Sequence, residues 1–149
     1  MAHVQQLALD AIAAAIVAAG VVPTGRVFVD RVDPLQLTEL PCICIDEDGA
    51  EQIEYLGQEP DGFMQRRDLN VRVACVVDAN ATASDARQIG LLIERCLNRS
   101  AALQSLMSGY KIDSSDYEQA GVSERLFNQR VQRWQFTCTT HSNSPDTFI

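Results

Sequence analysis

Histidine, lysine and aromatic side chains are scarce in this chain, and their scarcity narrows what it can do. The 149 residues include two histidines, His3 and His141, and one lysine, Lys111; aromatics make up 6%. Both histidines lie close to the chain ends, so neither is placed to serve a Ser-His-Asp or Cys-His constellation, which requires a rigid scaffold. Phosphate loop, Gly-x-Ser-x-Gly elbow and His-Glu-x-x-His helix are all missing. A non-enzymatic protein without a cofactor is therefore expected. Long apolar runs are lacking too. The longest, Ala11 to Val22, spans twelve residues, against about 20 for a bilayer. No basic residue precedes it, which argues for an amphipathic helix over a signal peptide and for no membrane partner. Basic charge is in deficit, at 12 against 20 acids and a net charge of -8. That balance disfavours a stand-alone nucleic-acid binder and docking on anionic lipid.

What is present is enough for one core. A chain of this length buries roughly 68–70% of its unfolded surface, and 46% of the residues are hydrophobic. A single domain over 1–140 is expected, followed by a polar tail over 141–149 that is mobile when the protein is alone. The five cysteines, an odd number, suggest reduced thiols in a cytosolic setting. Cys42 and Cys44 share a strand face but lack a second close pair to complete a zinc site. Cys75, Cys96 and Cys138 fall on apolar faces, where cysteine behaves as a small apolar residue.

Periodicity gives the elements. Val4, Leu7, Ala8, Ala11 and Ala15, with a second stripe of Leu9, Ile12, Ala13 and Ile16, predict a helix over 4–19 that Gly20 ends and Pro23 cannot extend. Its broad alanine-rich face suggests close packing on a sheet and against a neighbouring chain. Strands are expected at 26–32 and 42–45, the second running into a hairpin turn at Asp46-Glu47-Asp48-Gly49 with a return strand over 50–56. Leu69, Val71, Val73, Cys75 and Val77 alternate with polar residues in a clear strand. Thr82-Ala83-Ser84-Asp85 reads as a capping box for a helix striped by Ile89, Leu92, Ile93, Cys96 and Leu97. A polar edge strand over 110–118 and a long strand over 126–140 close the chain. The order α-β-β-β-β-α-β-β predicts an α+β fold, a mainly antiparallel sheet with two helices on one face.

The charge is local. Residues 30–61 hold ten acids against Arg31 alone, a net charge of -9, while the rest is near neutral; eleven of the twelve bases are arginine. Arginine is favoured at protein interfaces, although biased codon usage would give the same count. The acidic turn offers hard oxygen ligands but lacks the spacing and flanking helices of a calcium loop, so a solvated hairpin tip is expected. An acidic segment on an Arg-bearing chain lets one face of a subunit meet the opposite face of the next. The candidate interaction surface is Asp46, Glu47, Asp48 and Glu51 together with Arg66, Arg67, Arg72 and Arg133.

Several of these segments occur together in one known group. The alanine-rich opening helix, Val27-Phe28-Val29-Asp30 leading into Leu40-Pro41-Cys42-Ile43-Cys44-Ile45, then Arg67-Asp68-Leu69-Asn70-Val71-Arg72-Val73, the capped helix, and Arg133-Trp134-Gln135-Phe136-Thr137-Cys138-Thr139-Thr140 resemble the tail terminator proteins of long-tailed bacteriophages, also called minor tail protein U-like or tail completion proteins. The resemblance covers nearly the whole chain. It implies a virion protein, assembled in the host cytoplasm, that closes into a hexameric ring on the tail tube and stops its growth. Six 16.4 kDa copies amount to roughly 98 kDa. The implied partners are further copies of the chain, the tail tube protein, the neck and head-completion proteins, and genomic DNA passing without specific binding. Acidic residues divided between a subunit contact and the channel lining would suit that passage. No site residues transfer. A monomeric cytosolic binding or adaptor domain with an acidic surface, and a neighbouring neck or head-completion protein, remain alternative readings.

Overall fold

A computed structural model describes residues 3–59, 62–78, 83–122, 125–142 and 144–149. The element order is α1 (Val4–Ala19), β1 (Val27–Val29), β2 (Cys42–Glu47), β3 (Gln52–Glu59), β4 (Gly62–Asp78), α2 (Ala83–Asn98), α3 (Ala101–Leu106), β5 (Gly109–Val122) and β6 (Arg125–His141). The fold is α+β, as the periodicity predicts. The short α3 adds a third helix, with Ser100 accepting from the Leu103 amide at its N-cap. Its six residues are too few for a 3.6 period to register.

All six strands join one sheet, ordered β1-β2-β4-β6-β5, with β3 also on β4. Among the described residues only the short β1–β2 pair is parallel. The expected β2–β3 hairpin does not form. β2 pairs with residues 71–76 of β4, and β3 continues in the same direction against 62–68. Between them, four residues, 48–51, stand opposite Leu69 and Asn70, with Gly49 at φ 85° and the Asp48 amide donating to the Asn70 carbonyl. The acidic turn is thus an extended bulge in one long strand pair. The Asp-Gly signal correctly marked a positive-φ glycine but left the direction of the chain after it open.

The helices cover one face. Val4, Ala8, Leu9, Ile12 and Ile16 of α1 are buried against Leu69, Val71, Val73 and Cys75 of β4 and Trp134, Phe136 and Cys138 of β6, all within one core. Gly20 caps α1 at φ 65°, a left-handed conformation that suits glycine. Polar bonds fix α2 to the sheet: Gln132 Nε2 donates to the Gly90 carbonyl (2.8 Å), Trp134 Nε1 to Gln132 Oε1 (3.0 Å), and Tyr110 Oη to the Leu97 carbonyl (2.6 Å). A Cβ on Gly90 would stand 3.2 Å from Gln132 Nε2, so glycine sets this approach. Thr82 of the expected capping box lies outside the described residues.

The tail expected to be mobile is tied down instead. Ile149 donates its amide to the Thr139 carbonyl (2.9 Å), Ser142 donates to Phe63 (2.7 Å), and Phe148 packs on the core. Ile12→Ala should cost about 2–5 kcal/mol in urea unfolding, whereas exposed Val17→Ala on the same helix should stay within about 0.5 kcal/mol.

Candidate functional site on the open face of the sheet

Strand alternation decides what the second face carries. On β4, Leu69, Val71 and Val73 point at the helices, so Arg66, Asp68, Asn70, Arg72, Ala74 and Val76 point away. At one end this outer face is apolar: Cys42, Ala74, Val76, Phe127 and Val131 form a second cluster with Phe28, Leu35 and Leu40 against it. The loop over 30–41 covers it, held by Arg31. That guanidinium stacks 4.4 Å from the Phe28 ring, bonds Glu39 Oε1 (2.8 Å) and donates to the carbonyls of Asp33 and Pro34.

Beyond the loop the face is charged and open. Arg72 and Arg133 stand directly opposite each other in the β4–β6 register, a like-charge pairing that opposes sheet formation. Acids surround them: Asp46 lies 3.9 Å from Arg72, and Asp48 and Asp116 lie 3.4 and 3.3 Å from Arg133. A second group follows along β4, where Arg66 meets Glu54 (2.9 Å) and Asp68 (3.7 Å), and Thr137 Oγ1 donates to Asp68 (2.7 Å). Such partly exposed pairs contribute about 0–1 kcal/mol each. Their value is a patterned surface more than stability.

The structure therefore divides the eight candidate residues. Asp46, Asp48, Arg66, Arg72 and Arg133 come together on the open face. Glu51 and Arg67 do not: they form a buried ion pair on the helix side (2.7 Å), where Arg67 also donates to Thr140 Oγ1 (2.9 Å) and Gln65 Oε1 (3.2 Å), and Gln5 of α1 bonds Glu51. Glu47 stands opposite Val71, on the helix side and exposed, beside Gln5 and Leu9. Sequence reasoning missed Asp116, Asp68 and Glu54. Their alternation with apolar neighbours was visible, but their cross-strand partners depend on register.

Cys42, Cys75 and Cys138 are buried, while Cys44 and Cys96 are partly exposed. None of the five cysteines is in a disulfide, and no metal-holding group of three or more His, Cys, Asp or Glu occurs among the described residues. Burial pushes Cys75 up to about 12 and Cys138 up to about 11, while a hydrogen bond with Cys44 and burial raise Cys42. His3 uses Nδ1 to accept from the Gln5 amide at the start of α1. No helix among the described residues is long and apolar enough to cross a membrane.

No family model and no curated protein matches the chain. Among solved structures, a chain from one described as the virion of a native gene transfer agent particle aligns over 89% of this chain and 90% of its own length, at 19% identity and a TM-score of 0.39. At that identity and TM-score the likeness does not extend to function.

Two outcomes follow from the charged residues. Arg67→Ala leaves the largely enclosed Glu51 carboxylate with Gln5 but no cation, and should cost up to about 3–5 kcal/mol in chemical denaturation. Asp46 behaves oppositely: burial raises its pKa, Arg72 pulls it down and Asp30 pushes it up. A raised folded-state value gives stability that is fully present below the unfolded pKa of about 3.9 and lost as pH rises through the folded one. Asp46→Asn should therefore melt at or above the wild-type temperature at pH 7, with the difference closing as pH falls below about 4.

Proposed function

We propose that the chain is a tail terminator: copies close into a ring on the end of a phage tail tube, stop its polymerisation and present a surface to the neck. The observation that carries this reading is the open charged face on a sheet otherwise sealed by helices. Its rows of arginines and acids offer a patterned contact surface, and contacts of that type give specificity and register more than raw affinity. The segments that carry the sequence resemblance support it as well. The opening helix, the Cys42–Glu47 strand, the Arg67–Val73 segment and the closing strand all belong to this one layered unit. A virion protein needs surfaces that fit its neighbours, and no reaction is required of it.

In this reading the acids of 30–61 that stay at the surface, Glu47 among them, divide between a subunit contact and the lining of a channel for DNA, because negative charge repels phosphate and lets it slide, while Glu39 and Glu51 are taken up by Arg31 and Arg67. The hexamer, the tube and neck partners, and assembly in the host cytoplasm belong to the same proposal. So does the extent of the folded unit, 1–140 with 141–149 as its tail segment.

Purified protein mixed with tail tubes should add mass at one end, seen by electron microscopy as a ring. A chain that stays monomeric at every concentration and leaves tubes bare would point instead to a monomeric binding domain. Asp46→Asn, Glu47→Gln and Asp48→Asn combined should alter ring formation or DNA passage; unchanged assembly and infectivity would leave the acidic stretch as a solubility feature.

A further inference from the structure

Resting on the ring reading, we propose that the β3–β4 hairpin of one copy seats in a groove between α1 and α2 of a second copy. The hairpin bears aromatic and aliphatic side chains that its own core does not take up. Tyr55 is 62% exposed, Leu56 49%, Ile53 45% and Phe63 41%. Tyr55 and Phe63 hold each other edge to face at 5.4 Å. Ile53 and Tyr55 stand opposite Arg67 and Gln65, which places them on the helix side. They lie beyond the reach of α1, since its first turn already ends at the buried Arg67–Glu51 pair. The segment 52–65 carries three acids and no basic residue; Glu54 is held by Arg66 on the open face (2.9 Å), which leaves Glu59 and Asp61 as its net negative charge.

The groove lies at the other end of α1, about 24 Å away for a 16-residue helix. It is lined by Ala19, Val21, Leu92 and Cys96, flanked by Arg95 and Arg99, and encloses about 260 Å³. That lies below the usual range for small-molecule sites, about 300–1,000 Å³, and suits one or two inserted side chains. Neither arginine forms an ion pair among the described residues, and Val17, exposed near the same end of α1, adds apolar surface there. An apolar, acidic projection and an apolar, basic groove are complementary in shape and sign. The sheet edge at β5 is a poorer receptor. It carries Asp113, Asp116 and Glu118 against Lys111 alone, so acid would meet acid. Because hairpin and groove are different surfaces at opposite ends of one subunit, the contact is heterologous and propagates into a ring or a filament.

Cys96 in the groove supplies the test. A Tyr55→Cys chain treated with copper phenanthroline, which takes up the two electrons as two thiols release their protons and join, should give a ladder of covalent multiples on a non-reducing gel. Adding Cys96→Ser should abolish it. A ladder that survives Cys96→Ser, or an equal one from Val32→Cys in the exposed 30–41 loop, overturns the contact. Independently, Tyr55→Ala with Phe63→Ala, and Arg95→Glu with Arg99→Glu, should each raise the concentration for half-assembly at least about tenfold, with circular dichroism confirming the fold. Unchanged assembly by both pairs overturns this interface and leaves the ring reading standing. Wild-type protein that forms no multimer, alone or on tubes, overturns both.

Discussion

The register of β4 against its neighbours is the constraint on which the rest of the molecule depends. Residues 64–78 pair without interruption with 127–141 of β6, while the other edge of β4 is shared by β2 and β3 in turn. Side chains alternate with a period of two, so one register sets both faces at once. A slip of one residue would bring Asp68, Asn70 and Arg72 under the helices and expose Leu69, Val71 and Val73. Burying two unpaired charges costs far more than a shifted ladder can return. The helix-side core and the outer charged face are in this sense a single decision.

That decision separates stability from surface. Cohesion lies on the helix side, where Trp134 and Phe136 are fully buried and stack at 6.0 Å beneath α1 and α2. The outer face has a smaller apolar cluster, closed by Arg31 and its loop, and then gives way to charge. Arg72 opposite Arg133 would weaken an isolated strand pair, and the acids from three other segments, Asp46, Asp48 and Asp116, offset that repulsion. Asp48 keeps the outward parity of Asp46 and reaches Arg133, while Glu51, of the opposite parity, turns inward to Arg67.

The buried polar layer of Arg67, Glu51, Gln65 and Thr140 marks a boundary. Apolar packing ends there, since a charge pair so enclosed needs every hydrogen bond it makes. Side chains farther along the hairpin cannot join the core across that layer, so Tyr55 and Phe63 are left to pack on one another. An edge strand with exposed aromatics is a hazard for a free monomer and an asset for a subunit.

Much of this was legible in the sequence. Helix α1 falls at the expected residues because its apolar positions recur at three and four and Gly20 stops it. The alternation from Leu69 to Val77 and from Trp134 to Cys138 named the core side of the two longest strands, and the concentration of charge in 30–61 is a count. Other features were not legible. The bulge at 48–51 looks like a hairpin turn, because Asp-Gly favours a positive φ in either setting and only the free side of β4 decides where the chain goes next. Helix α3 is too short to show a period, and the docked tail has no pattern until Phe148 and the Ile149 amide meet partners far away in sequence. The eight candidate residues share a charge type but not a location: burial against α1 claims Glu51 and Arg67, and strand pairing gathers the others. The sequence alone determined the two long helices and the main strands and which side of each is apolar, since those are properties of neighbours along the chain. Only the tertiary structure decided which charges meet, because register and bulge bring together groups tens of residues apart.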